Sequence, residues 1–90
     1  MKVSIILAAF AYLELVGVTR TPFATHVHLE ARVVTPSRVR CTLLSARGEL
    51  VNDAISQRLE PTDGGVVDLR LRIVDTVQRG ELVRCEVEAP

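Results

Sequence analysis

Two histidines and a glutamate, spaced His26-x-His28-x-Glu30, are the residues of this chain whose types and spacing come nearest to chemistry. Residues i, i+2 and i+4 of an extended strand share one face, and twice the strand rise sets neighbours roughly 6 to 7 Å apart. Two imidazoles at that spacing can share a zinc ion, and a carboxylate can complete a three-ligand set that leaves one position for water. No fourth ligand stands nearby in the sequence. The reading set against a metal site, and the one adopted as the expectation, is a solvated strand face with two ordinary histidines.

Cys41 and Cys85 lie too far apart in the chain for a local CxxC redox or zinc motif. They allow one disulfide or two buried thiols. Pairing would close a loop of about 45 residues and contribute roughly 3 to 4 kcal/mol by the chain-entropy argument, and it requires an oxidising compartment. Residue alternation turns both cysteines inward, where desolvation disfavours a thiolate nucleophile. Glu86 and Glu88 form a carboxylate pair near the C-terminus, expected on an outer face as partners for Arg70, Arg72 or Arg84 rather than as an acid–base couple. No Ser/His/Asp or Cys/His arrangement has a supporting signature, and no glycine-rich phosphate loop is present. The chain therefore reads as non-enzymatic and without a cofactor.

Charge narrows the partners. Eleven Lys+Arg balance eleven Asp+Glu in 90 residues, so the whole-chain field of a nucleic-acid or anionic-membrane binder is missing. Arg38, Arg40, Arg70, Arg72 and Arg84 would make a basic stripe if their strands were neighbours in one sheet. Single-strand binders interleave such stripes with stacking aromatics, and the aromatics here, Phe10, Tyr12 and Phe23, are not interleaved. No nucleic-acid partner is expected.

The elements that must position these residues are strands. From residue 12 onward apolar and polar residues alternate with the period of a half-buried strand. In AYLELVGV, Leu13, Leu15 and Gly17 oppose Tyr12, Glu14 and Val16. In THVHLEARVV, Val27, Leu29, Ala31 and Val33 face a core and His26, His28, Glu30 and Arg32 face water. SRVRCTLLS turns Val39, Cys41 and Leu43 inward. Ala46-Arg47-Gly48 supplies a hairpin turn and Asn52-Asp53 a second reversal, after which AISQRLE reads as an edge strand anchored by Ile55 and Leu59. Pro61 to Gly65 break the chain. VVDLRLRIV then places Val67, Leu69, Leu71 and Ile73 inward, and after a loop from Asp75 to Gly80, ELVRCEVE does the same with Val83, Cys85 and Val87.

The opening Met1-Lys2-VSIILAAF has two readings. It could be a short secretory signal cut after Ala9-Phe10-Ala11, but eleven residues fall below the usual span of about 15 to 30, and Glu14 interrupts any longer apolar run. Nor does it supply the roughly 20 uncharged residues of a transmembrane span. The expectation is a strand belonging to the mature protein or donated to a neighbouring subunit. The organisation is thus residues 1–11 as an apolar N-terminal strand and 12–90 as one domain, an all-β, small antiparallel sandwich of six to seven strands.

The succession LELVGVTR, THVHLEARVV, SRVRCTLLSARGELV, the edge segment ending Leu59-Glu60-Pro61, VVDLRLRIV and ELVRCEVE resembles an immunoglobulin-like or fibronectin-type-III-like module over residues 12 to 90. The core Trp and tyrosine corner of antibody domains are absent, so the likeness is one of architecture and transfers no functional residue. A small sandwich exposes unpaired backbone groups at its sheet edges, where a partner's strand can dock by main-chain hydrogen bonding, so the expectation is a structural or protein-interaction module that self-assembles through those edges as a homo-oligomer, at a cell surface, on a virion or in secreted form. The alternatives are a metal-binding protein organised by His26, His28 and Glu30, or a secreted ligand-binding module.

Overall fold

The computed structural model describes residues 1–6, 12–61 and 65–89. The rest of the N-terminal run, including Ala9-Phe10-Ala11, and the centre of the break between Pro61 and Gly65 lie outside the described residues. Among the described residues seven strands form: β1 (Lys2–Ile6), β2 (Tyr12–Arg20), β3 (Ala24–Arg32), β4 (Arg38–Leu44), β5 (Leu50–Ile55), β6 (Val67–Val74) and β7 (Leu82–Glu88). They make a four-stranded sheet in the order β1-β7-β4-β5 and a three-stranded sheet in the order β2-β3-β6. Every pairing is antiparallel except β1 with β7, which is parallel.

Alternation explains this two-layer arrangement. Val27, Leu29, Leu71 and Ile73 from one sheet and Val39, Leu43 and Val83 from the other belong to one buried cluster. Along β3, β4 and β6 alternate residues join that layer and the intervening ones turn outward. Val3 and Ile5 of β1 pack against the same cluster. Cys41 and Cys85 are joined in a disulfide across directly opposed positions of β4 and β7, with Cα atoms 4.1 Å apart. The bridge therefore lies within one sheet, where the antibody-domain disulfide joins two.

Two stretches depart from the alternation read in the sequence. In β2 the inward set Leu13, Leu15, Gly17 holds only as far as Leu15. Pairing then steps from Leu15↔Leu29 to Gly17↔His28, so Val16 is an extra, bulged residue and Gly17 turns to the outer face. Val18 takes the inward place against the core. One edge strand of the four-stranded sheet is Leu50–Ile55, upstream of the expected AISQRLE, and it runs straight through Asn52-Asp53 instead of reversing there. Asn52 holds the strand extended by donating from Nδ2 to the Val74 carbonyl (3.0 Å). On an edge such polar residues are tolerated because one side of the ladder has no neighbour to exclude water. Ile55 is consequently exposed, whereas Leu59 is buried and exchanges backbone hydrogen bonds with Ser37 beyond the strand's end.

The connections are locally encoded. At the β2–β3 turn the Thr21 hydroxyl accepts from the Ala24 amide (3.1 Å), and at the β4–β5 turn Gly48 adopts φ 80°, a conformation costly for residues with a Cβ. Gly80 is required for a different reason: a Cβ there would stand 2.5 Å from three side-chain atoms of Leu43. Leu43 is fully buried and cannot swing aside. Gly80→Ala is expected to cost about 1 to 3 kcal/mol by overpacking, read by denaturant unfolding. An unchanged midpoint would show that Leu43 has room to repack.

Candidate functional site

The outer face of the β2-β3-β6 sheet gathers most of the chemistry-bearing residues into cross-strand rows. Glu14, Glu30 and Asp68 are directly opposed in one row, Gly17, His28 and Arg70 in the next, and Thr19, His26 and Arg72 in the third. Three carboxylates in one row repel, and two find a donor. The Tyr12 hydroxyl donates to Glu14, and the His28 Nε2 lies 3.3 Å from Asp68 Oδ1. The hydrogen bond to Glu14 pushes the Tyr12 phenol above its usual range, with further help from desolvation and the Glu14 charge.

The other two rows are cationic and surround a hollow. Because Gly17 has no side chain and nothing lies within 4 Å of where its Cβ would be, the bulge leaves a concavity of ≈ 270 Å³ walled by Val16, Thr19, His26, His28, Arg70 and Arg72. Arg70 and Arg72 are both exposed, and among the described residues neither has a carboxylate in ion-pair range.

His26, His28 and Glu30 do share one strand face. His28 engages Asp68 rather than its strand neighbours, and among the described residues no three His, Cys, Asp or Glu side chains are grouped to hold a metal ion. The five arginines read as a possible stripe are divided between the sheets: Arg38, Arg40 and Arg84 on β4 and β7, Arg70 and Arg72 on β6. For the same reason Glu88 does not meet Arg70 or Arg72. It pairs with Arg40, whose Nε is 3.1 Å from Glu88 Oε1 and whose Nη1 is 2.6 Å from Asp53 Oδ2. Asp53, then Glu88, raise the Arg40 guanidinium above its ordinary value. Sequence reasoning missed the role of Gly17, although a glycine inside a strand pattern is a known sign of a bulge.

The sheet edges differ in how well they are guarded. β2 carries the bulge, β5 carries Asn52 and Asp53, and β6 presents Asp68, Arg70 and Arg72. Bulges and charges are the usual defences of an edge. β1 has only Lys2 at its start, followed by Val-Ser-Ile-Ile, and β7 is the strand it pairs with.

No helix among the described residues is long and apolar enough to cross a membrane. Compared with known protein families, with curated proteins and with solved structures, the chain matches none.

Proposed function

We propose that this chain is a non-enzymatic, immunoglobulin-like interaction module that associates with copies of itself by exchanging β1. The observation that carries the reading is the parallel seat of β1 on β7, with register Lys2↔Leu82 through Ile6↔Glu86. Among the described residues β1 precedes every other strand, and β7 is its one ladder partner. A second copy offers the same strand to the same register, so exchange would conserve every hydrogen bond of the ladder and the packing of Val3 and Ile5. The immunoglobulin-like assignment is supported by the crossed pairing of β3 with β6 in one sheet and β4 with β7 in the other.

The test uses the full chain and a Val3→Asp, Ile5→Asp variant. Two charges on the inward side of β1 should unseat it and cost about 2 to 3 kcal/mol of apolar burial. The wild-type chain is expected to show a dimer whose fraction rises with concentration in native mass measurements, and the variant to remain monomeric. A synthetic peptide of residues 1–6 should raise the variant's melting temperature by filling the vacated seat. A wild-type chain that stays monomeric at all concentrations, with a variant unaffected by the peptide, would rule the reading out.

A further inference from the structure

We propose that the concavity over Gly17 binds a phosphate group, as inorganic phosphate or as a phosphomonoester, through the guanidinium groups of Arg70 and Arg72. The first support is charge placement. The residue directly opposite each guanidinium on β3 is an imidazole and not a carboxylate, Arg70 facing His28 and Arg72 facing His26. Three carboxylates stand on the same face, but they fall in one separate row. Asp68 reaches across to His28, and none of the three lines the hollow. An anion in the hollow would supply the counter-charge that no carboxylate among the described residues gives the two arginines.

Geometry is the second support. Arg70 and Arg72 are i and i+2 on β6, roughly 6 to 7 Å apart along the strand, so their planar forks can converge on one group from the same wall. Thr19 and His26 stand on the other side of the third row, adding a hydroxyl and an imidazole N–H. That donor set exceeds what the two oxygens of a carboxylate can accept and suits the several oxygens of a phosphate dianion. The bulge makes the space: with an ordinary residue in the Gly17 position, a side chain would stand in the hollow. A long polyanion is disfavoured, because the remaining β4 and β7 arginines lie in the other sheet and the net charge of the whole chain is zero.

The experiment follows the Gly17 amide and the His26 and His28 ring signals by NMR at fixed pH, titrating inorganic phosphate against chloride at constant ionic strength. A parallel titration uses glycerol phosphate as the monoester. Saturable shifts confined to these residues are expected, with affinity falling about tenfold for each guanidinium removed in Arg70→Ser and Arg72→Ser. Tighter binding of glycerol phosphate would identify the ester as the ligand, and equal or weaker binding would identify the free anion. Both arginines are exposed, so these variants should melt like the wild type. Gly17→Glu, which puts a carboxylate into open space, is the independent control and should abolish the shifts. Shifts that do not saturate, or that persist unchanged in the double arginine variant, would overturn the proposal.

Discussion

Replacing Cys41 and Cys85 together with alanine is expected to lower the stability of the protein by about 4 kcal/mol, the chain-entropy value for a closed loop of this size. The two residues are separated by 44 positions, and the unfolded chain regains that conformational freedom when the bridge is lost. For a domain this small the loss is a large share of the total stability. The bridge ties positions that are already opposed in the ladder between β4 and β7, so the native arrangement of the strands should survive. The check is denaturant unfolding of wild type and variant with and without reductant, with intact mass confirming reduction. The wild type should fall to the level of the variant when reduced, while the variant should not respond. A wild type whose midpoint is unmoved after confirmed reduction would contradict the expectation.

The next largest effect is expected at Asp75. Its side chain is fully buried, and its carboxylate accepts from the backbone amides of Arg79 (3.1 Å) and Gly80 (2.9 Å), with Arg20 Nη2 3.6 Å away. The Asp75 amide itself donates to the Phe23 carbonyl (2.8 Å). One residue thereby fixes the β6–β7 connection, including Gln78 at φ 55°, and joins it to the β2–β3 turn. Asp75→Ala leaves two amides without acceptors and is expected to cost about 3 kcal/mol. Asp75→Asn retains one acceptor oxygen and should recover part of that. Hydrogen exchange at the Arg79 and Gly80 amides should accelerate in the order wild type, Asn, Ala. Exchange unchanged in the alanine variant would mean that those amides have another acceptor.

Strands whose central residues alternate between a dry and a wet face were legible in the sequence. β3, β6 and β7 are of this kind: Val27, Leu29 and Ala31, then Leu69, Leu71 and Ile73, then Val83 and Cys85 are buried as their alternation predicts. β2 and β5 were harder for separate physical reasons. A bulge inverts the alternation partway along β2, so residues on either side of Val16 follow different phases. β5 lies at an edge, where Asn52 and Asp53 are half-buried and exposed and no strict alternation is imposed. The pairing of His26 with Arg72 and of His28 with Arg70 depends on β3 and β6, strands far apart in the chain, being neighbours in one sheet. Periodicity reports which way a side chain points and says nothing of which strand lies beside it, and so the same five arginines could be read as one stripe when they occupy two sheets.

The placement of the disulfide also divides the molecule by connectivity. Residues 41 to 85 form a covalent ring that contains β5 and β6 whole, together with most of β4 and the start of β7. The ring passes through both sheets, because β6 belongs to the three-stranded one. β1, β2 and β3 form an open arm attached to the ring only at Cys41, and the end of β7 forms a short second arm. Within the ring a break in the backbone at the exposed Arg47 leaves both pieces in one molecule, whereas a break in the open arm frees everything before it. The half of the chain that carries the β1 strand is thus the half that can leave its place without opening a covalent loop.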